Sequence, residues 1–215
     1  MNPGHPQPAP DLSVVLPAFN QEGEIARTLL AVASTLSDAG ATYELIVVSD
    51  GSVDRTADAA RAASAPNTRV LEYHPNKGKS EALRYGSARA QGRWVAWVDS
   101  DLDLDPILLP SWLALAQDHA LDAVIGSKRH RDSDVDYPSL RRVYSAIYQV
   151  VVRGLFDLHG RDTQVGMKVF RAEVLERVLP LVLVKRYAFD LNVIVGGLKQ
   201  GCPTPRRGFP VAATD

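Results

Sequence analysis

The feature that most constrains the fold is a regular alternation of short apolar runs with longer amphipathic stretches. The apolar runs are rich in β-branched and aromatic residues, as buried strands are, and they occupy 12–19, 43–48, 69–73, 93–98 and 123–126. The stretches between them repeat apolar residues at helical spacing, which predicts helices over about 25–40, 54–64, 79–90 and 107–119. Asn20 is predicted to cap the first of these helices. Together the pattern predicts an α/β fold with a mostly parallel sheet flanked by helices.

The second half of the chain is less regular. We predict one domain with a disordered, Pro-rich tail over 1–11, a ligand-binding core over 12–127 and a further region of the same domain over 128–215. Within that region, 160–170 is predicted as a turn and a short edge strand, with helices over about 172–179 and 188–199. The stretch 140–158 is apolar with interspersed arginines, which predicts either a helix lying in a membrane headgroup plane or a core helix.

Charge, cysteine content and hydropathy narrow the class of protein. Lys and Arg number 24 and Asp and Glu number 25 among 215 residues, a net charge of −1, so we predict no nucleic-acid partner. The single cysteine, Cys202, cannot form an internal disulfide, which is consistent with a reducing compartment. No apolar stretch approaches the ~18–20 residues of a membrane span, and the Pro-rich start lacks the regions of a signal peptide. These features predict a soluble or peripherally bound protein. The expected location is the cytoplasm, with the protein peripheral on the cytoplasmic membrane face.

Polar residues follow four of the predicted strands, at the point where each strand ends. The segments that contain them are 19–20, 49–54, 75–79 and 99–105. The carboxyl ends of parallel strands share one edge of a sheet, and ligands of such sheets bind beyond that edge. These four segments are therefore predicted to form one site.

The acidic run after the fourth strand is the candidate metal site. It carries carboxylates at alternate positions, Asp99, Asp101, Asp103 and Asp105. Carboxylates this close repel one another, and a divalent cation bridging to a diphosphate would compensate their charge; oxygen ligands suit Mg²⁺ or Mn²⁺. An EF-hand calcium loop is excluded, because Leu104 and Pro110 stand where that loop needs Gly and Glu. A solvated acidic turn without metal is the remaining alternative.

Two further turns are candidates for ligand contacts. Asp50 ends the second strand in an Asp-Gly-Ser turn, where its carboxylate can face a base or ribose, or where the turn is purely structural and Asp54 caps the next helix. Lys79 opens a helix, a position that suits a phosphate. A P-loop is excluded, because the first glycine of that motif falls on Tyr73.

Seven ordered segments resemble the motifs of one enzyme family. They are LPAFNQEGEI, VVSDGSVDRT, NKGKSEALRYG, VDSDLDLDP, GSKR, RDTQVGMKVF and RYAFDLNV. In this order they are similar to family 2 glycosyltransferases, and most of all to the polyprenyl-phosphate sugar synthase branch, which includes dolichyl-phosphate β-glucosyltransferases and dolichol-phosphate mannose synthases. The resemblance extends from residue 12 to about residue 200. The chain departs from the family pattern at Gln21, Ser49, Ser80 and Asn192.

The resemblance implies a GT-A fold and an inverting, metal-dependent transfer of a hexose. The implied donor is a nucleotide sugar, with UDP-glucose favoured and GDP-mannose next, the implied cofactor is Mg²⁺ or Mn²⁺, and the implied acceptor is a polyprenyl phosphate at a membrane surface. The alternatives are a transferase that acts on a saccharide hydroxyl, a non-catalytic sugar-nucleotide-binding module, and a nucleotidyltransferase on a related sheet.

The resemblance also implies roles for individual residues. Those expected to contact the nucleotide or its phosphates are Pro17, Ala18, Glu22, Asp50, Lys79, Asp99, Ser100, Lys128 and Arg129. Those expected to bind or position the metal are Asp99, Asp101 and Asp103. Those expected to carry out or orient the transfer are Asp101, Gln164, Lys168 and Asp190, the last three on the acceptor side.

Overall fold

A seven-stranded sheet forms the centre of the molecule. The computed structural model describes residues 9–101, 105–127, 167–182 and 211–213. The strands are β1 Leu12–Ala18, β2 Tyr43–Asp50, β3 Thr68–Tyr73, β4 Trp94–Val98, β5 Ala123–Ser127, β6 Met167–Arg171 and β7 Val211–Ala213. The helices are α1 Ile25–Asp38, α2 Thr56–Ala62, α3 Lys79–Ser87, α4 Leu108–Asp118 and α5 Ala172–Val178, and α5 continues into a 3₁₀ turn, Leu179–Leu181.

The strand order is β3-β2-β1-β4-β6-β5-β7. The first four strands in this order are mutually parallel, and β6 runs antiparallel to both of its neighbours, β4 and β5. The predicted mostly parallel α/β sheet is confirmed. In the described ranges, no helix is both long and apolar enough to cross a bilayer.

Both faces of the sheet are covered, because successive side chains of a strand point to opposite faces. On one face, Val14 and Leu16 of β1 belong to a buried cluster with α1 and α4. On the other face, Val15 packs into a second cluster that includes Leu83 of α3 and Leu175 of α5. Every residue of β1, β2 and β4 is buried, which explains why these strands are nearly continuous apolar runs.

The prediction of an edge strand within 160–170 is wrong. β6 lies inside the sheet, where Lys168 pairs with Trp97 of β4 and with Ile125 of β5. The rings of Trp97 and Phe170 lie 4.7 Å apart between centroids, so aromatic packing joins β6 to β4. The composition of the segment favoured an edge strand, but even Lys168, in the middle of the strand, is buried.

A buried polar network closes the amino end of the sheet. The Ser13 hydroxyl donates to Glu44 Oε1 at 2.6 Å, and the amide of Gln91 donates to the same carboxylate oxygen at 2.7 Å. The amide of Gly92 donates to Ser13 Oγ at 2.8 Å, and the Arg69 guanidinium lies 2.7 Å from Glu44 Oε2. The network satisfies a buried carboxylate and ties the α3–β4 connection to β1 and β2.

Gly92 allows the close approach on which this network depends. A Cβ atom at Gly92 would lie 2.6 Å from the backbone nitrogen of Ser13 and 2.9 Å from the carbonyl carbon of Leu12. We expect Gly92→Ala to lower the free energy of unfolding by about 1–3 kcal/mol, because buried backbone cannot move aside as a flexible side chain can. Urea denaturation measures the change. The matched control is Gly23→Ala, where the new methyl group meets nothing within 4 Å; it should change the stability by less than about 0.5 kcal/mol, and equal effects of the two substitutions would contradict the packing argument.

Candidate functional site

A cavity of about 420 Å³ opens at the carboxyl ends of β1, β2 and β4. The strand order reverses between β1 and β4, because the chain leaves β1 towards β2 on one side and β4 lies on the other. Such a reversal leaves a crevice between the outgoing connections, and this is where open α/β sheets bind their ligands. The cavity lies where the four polar segments were predicted to meet.

Seven of the predicted site residues line this cavity. They are Pro17, Ala18, Asp50, Lys79, Asp99, Ser100 and Asp101. The wall also includes four residues to which no individual role was assigned: Phe19, Asn76 and Gly78 belong to the predicted polar segments 19–20 and 75–79, and Gln21 lies outside those segments. Predicted residues that lie outside the described ranges are Asp103, Lys128, Arg129, Gln164 and Asp190. Lys168 is among the described residues. It lies in β6 and pairs with Trp97, which is the second-last residue of β4.

Asp50 organises the loop that precedes α3. Its side chain is buried, and its two carboxylate oxygens accept hydrogen bonds from the amides of Lys77 at 2.7 Å and Gly78 at 2.8 Å. The Asn76 side chain donates to the Asp50 carbonyl oxygen at 2.8 Å. Gly51 follows with φ +66°, and a Cβ atom there would lie 2.2 Å from the Asn76 nitrogen. Asp50 therefore orients this loop; its contact with a base or ribose stays a prediction.

Tyr73 lies at the end of β3, close to Asp50. Burial raises the pKa of its phenol, and the nearby Asp50 carboxylate raises it further. The hydroxyl is buried, and the Asp50 carboxylate lies close to it. The phenol therefore stays neutral throughout the physiological pH range.

An ion pair joins two walls of the cavity. Lys79 is the first residue of α3 and Asp99 directly follows β4, and Lys79 Nζ lies 2.5 Å from Asp99 Oδ1. The turn after Asp99 is also anchored from the other side, because the buried Thr28 hydroxyl of α1 donates to the Ser100 carbonyl oxygen at 2.7 Å. The acidic turn is thus held between α1 and α3.

The carboxylates of this turn fit a divalent cation. Asp99 and Asp101 both line the cavity, and the ammonium group on Asp99 shows that the turn attracts positive charge. Carboxylate oxygens are the donors that Mg²⁺ and Mn²⁺ prefer. Among the described residues, no three side chains of His, Cys, Asp or Glu come together as a metal site. Asp99 and Asp101 would therefore hold an ion together with water, a ligand phosphate or residues beyond the described ranges.

Hydrogen bonds join the β1–α1 loop to the β2–α2 loop beside the cavity. The Val53 amide donates to Asn20 Oδ1 at 2.9 Å, and the Glu22 amide donates to Asp54 Oδ2 at 3.1 Å. Glu22 in turn pairs with the Arg55 guanidinium at 2.6 Å. The predicted capping role of Asn20 is wrong: the helix begins at Ile25 without a side-chain cap, and Asn20 adopts φ 53° to reach the neighbouring loop.

The ion pair between Glu22 and Arg55 bears on the expected role of Glu22 as a contact for the nucleotide. Its carboxylate is bound to Arg55, and it is not among the described residues that line the cavity. Glu22 fixes the position of the loop that carries Gln21 and Phe19. A direct contact between Glu22 and a nucleotide remains a prediction from the resemblance.

The sequence of the chain matches a known protein family over residues 13–179, described as "Glycosyl transferase family 2". The match covers more than half of the 215 residues. The chain belongs to glycosyl transferase family 2. Its predicted membership of this family is confirmed.

Curated relatives of this family 2 chain carry related names. A dolichyl-phosphate beta-glucosyltransferase from Drosophila melanogaster is 32% identical, over 87% of this chain and 62% of the relative. A dodecaprenyl-phosphate galacturonate synthase from Rhizobium johnstonii is 29% identical, over 78% of this chain and 50% of the relative. The chain therefore spans less than two thirds of the length of these relatives.

Solved structures confirm the fold class. The crystal structure of Mycobacterium tuberculosis glucosyl-3-phosphoglycerate synthase with Mn²⁺, UDP-glucose and phosphoglyceric acid aligns with a TM-score of 0.60 and 26% identity, covering 79% of this chain and 59% of that one. S. aureus TarS, residues 1–349, aligns with a TM-score of 0.59 at 19% identity, which is a likeness of fold alone. The family 2 chain thus has the GT-A fold that its motifs implied.

The hydrogen bonds that Asp54 accepts predict that the stability of this family 2 chain falls at acid pH. Burial of Asp54 opposes ionisation, but hydrogen bonds from Thr56 and from the Glu22 amide outweigh it and hold the pKa of Asp54 below its usual 3.8. Because the folded-state pKa is lowered, ionised Asp54 stabilises the fold above about pH 4, and this contribution is lost as the pH falls further.

We expect Asp54→Asn to lower the stability of the fold at about pH 6. The substitution should also reduce the difference in stability between about pH 6 and about pH 3, measured by urea midpoints. An unchanged pH dependence in Asp54→Asn would refute the assignment.

Proposed function

We propose that this chain is an inverting glycosyltransferase that moves a hexose from a nucleotide sugar to a polyprenyl phosphate. The observation that carries the proposal is a cavity at the carboxyl ends of β1, β2 and β4 whose wall includes Lys79, Asp99 and Asp101. One cation and two carboxylates suit a diphosphate and a divalent ion. The two curated relatives are both named after a polyprenyl phosphate, dolichyl phosphate in one and dodecaprenyl phosphate in the other. These names support the acceptor class.

The cavity wall suggests how the donor lies. Phe19 is 47% exposed although it is a large apolar residue, and it forms part of the cavity wall at the end of β1. An aromatic ring in this position offers a stacking surface to a nucleotide base. Asp50 and Pro17 would border the nucleoside, and Lys79 would meet the phosphates beyond it. Ser100, which lies between Asp99 and Asp101 in the chain, is buried, and these two carboxylates would lie at the diphosphate end.

Asp99 and Asp101 would hold the Mg²⁺ or Mn²⁺ ion. When bound, such an ion stabilises the negative charge that develops on the leaving nucleoside diphosphate. The mycobacterial glucosyl-3-phosphoglycerate synthase was crystallised with Mn²⁺ and UDP-glucose, which supports the same ion and donor for this chain. Asp103, Lys128 and Arg129 are proposed as further groups around the diphosphate on the basis of their motifs.

The acceptor itself supplies the nucleophile in this reaction. The second pKa of a phosphate monoester lies near ~6, so at neutral pH the lipid phosphate oxygen is mostly ionised and needs no strong base. That oxygen bonds to the anomeric carbon while the bond from this carbon to the diphosphate oxygen breaks, which inverts the configuration. The protein therefore contributes alignment and charge stabilisation rather than proton removal.

The acceptor would approach from the side of β6. Lys168 lies in this strand next to Trp97, and the chain enters β6 at Met167 beside Val98, the residue before Asp99. We propose Lys168 as a cation for the acceptor phosphate, with Gln164 and Asp190 as orienting groups. The sequence 162–170, DTQVGMKVF, leans towards the glucosyl branch of the family, and UDP-glucose is the proposed donor ahead of GDP-mannose.

A transfer assay tests the reaction. The full chain is incubated with Mn²⁺, radiolabelled UDP-glucose or GDP-mannose, and either polyprenyl phosphate, polyprenol or an oligosaccharide. We expect label in the lipid-phosphate fraction with UDP-glucose. We expect Asp101→Asn to lower this transfer more than about 100-fold without lowering the melting temperature, because a ligand for the metal is lost.

The matched control is Asp118→Asn, which makes the same change at an exposed position, the last residue of α4. It should leave transfer at the wild-type rate. Label on the oligosaccharide instead of the lipid would replace the proposed acceptor by a saccharide hydroxyl. Binding of the donor without transfer to any acceptor would indicate a non-catalytic module, and label from GDP-mannose alone would reverse the choice of sugar.

A lipid acceptor implies contact with a membrane, and we propose that this chain acts on the cytoplasmic face. The segment 140–158, LRRVYSAIYQVVVRGLFDL, lies outside the described residues, and its sequence is the basis for this proposal. Apolar residues would face the acyl chains while Arg141, Arg142 and Arg153 face anionic headgroups.

Flotation with vesicles tests the membrane contact. We expect the full chain to float with anionic vesicles at low salt and to remain below neutral ones. Replacing Arg141 and Arg142 by Glu should abolish flotation while leaving the affinity for the soluble donor unchanged. Wild-type protein that stays in the supernatant with anionic vesicles would show that this segment has a structural role.

A further inference from the structure

The ion pair between Lys79 and Asp99 lies at the predicted metal position itself. Lys79 Nζ is 2.5 Å from Asp99 Oδ1, and the Asp99 side chain is only 23% exposed. An ion pair whose acid is mostly covered is screened less by water than a fully exposed pair. The carboxylate that is proposed to bind a divalent ion is therefore already neutralised by a residue of the protein.

The backbone holds Lys79 in this position. The loop before it is fixed by two hydrogen bonds from the amides of Lys77 and Gly78 to the buried carboxylate of Asp50. Asn76 adds a third hydrogen bond, to the Asp50 carbonyl oxygen. Because α3 begins at Lys79, the ammonium group extends from an anchored helix start and pairs across the cavity rather than with its own helix. This arrangement differs from a chance contact between two long surface side chains.

An ammonium ion and a divalent cation compete for the same carboxylate. With Lys79 in place, a metal ion that approaches Asp99 must displace the ammonium or accept its repulsion. A nucleoside diphosphate changes this balance, because its phosphate oxygens offer Lys79 a second anionic partner within the same cavity. Lys79 can then move to the diphosphate while the metal takes its place on Asp99.

We propose that Lys79 is a built-in counter-ion that makes metal binding depend on the nucleotide. In the free protein it occupies Asp99 and keeps metal affinity low. In the presence of the diphosphate it changes partner, so that metal and nucleotide each strengthen the binding of the other. This inference rests on the proposed function, since it assumes that the ligand of the cavity is a nucleoside diphosphate. The coupling is reciprocal because it is a property of the equilibrium between the two pairings.

Mn²⁺ binding to the free, full-length protein tests this proposal without any reaction. Electron paramagnetic resonance counts unbound Mn²⁺ in titrations of wild type, Lys79→Met, Lys79→Arg and Lys77→Met. We expect Lys79→Met to bind Mn²⁺ about three- to tenfold more tightly than wild type, because the competing charge is gone. Lys79→Arg keeps that charge and should stay within about twofold of wild type.

Lys77→Met is the matched control for net charge. Lys77 is two residues away, and its ammonium group lies 5.0 Å from the centroid of the Tyr73 ring. If the gain comes from the direct pair, Lys77→Met should leave Mn²⁺ affinity within about twofold of wild type. Melting temperatures of all variants confirm that they are folded. Equal gains in Lys77→Met and Lys79→Met would overturn the proposal, because the effect would then be one of net charge alone.

The same titrations with UDP measure the coupling. In wild type, UDP should raise Mn²⁺ affinity, and in Lys79→Met this increase should become smaller while UDP binding at saturating Mn²⁺ becomes weaker. Mn²⁺ affinity in Lys79→Met that equals or falls below that of wild type overturns the proposal, as does the absence of Mn²⁺ binding to both proteins. If the protein transfers sugar but Lys79→Met binds Mn²⁺ no more tightly than wild type, the proposed function stands and the counter-ion proposal fails. If Lys79→Met binds Mn²⁺ more tightly but the protein transfers no sugar, the counter-ion proposal stands and the proposed function fails.

Discussion

The burial of β1 between β2 and β4 is the constraint on which the rest of the molecule depends. All seven residues of β1 are buried, and its alternate side chains enter the two apolar clusters on opposite faces of the sheet. Because its neighbours are parallel to it, three strands end at the same edge, and the connections that leave them surround the cavity. Helix α3 lies tight against this strand, since a Cβ atom at Gly86 would lie 2.5 Å from Val15 Cγ1. The position of Lys79 at the cavity thus follows from packing in the core.

Two acidic side chains near the cavity accept hydrogen bonds from backbone amides of neighbouring loops. Asp50 accepts the amides of Lys77 and Gly78, and Asp54 accepts the amide of Glu22. Carboxylates that receive backbone N–H groups hold loops in place without regular secondary structure. Motifs that look like ligand-binding signatures in the sequence are in part the means by which neighbouring loops are held in register.

Much of the fold and part of the site could be predicted from the sequence, because they depend on local patterns. The buried strands follow from apolar runs, and the clustering of Asp50, Lys79, Asp99 and Asp101 follows from the rule that parallel strands end at one edge. The internal position of β6 could not be predicted, because its neighbours β4 and β5 are distant in sequence and Lys168 looks like a solvent-facing residue. The partners of Asn20 and Glu22 were missed for the same reason, since they lie more than thirty positions away. Phe19 had a detectable signal, an aromatic residue directly after a buried strand, but its exposure is a property of the folded chain.

The polar network at the amino end of the sheet has a consequence for how such a chain can change over evolutionary time. Ser13, Glu44 and Arg69 fasten the strands at the edge opposite the cavity. Substitutions in the loops around the cavity therefore leave these contacts in place. A lineage can alter residues of the cavity wall, such as Phe19 or Gln21, while the opposite edge maintains the fold. Variation of the cavity wall and retention of architecture are in this way assigned to different ends of the same strands.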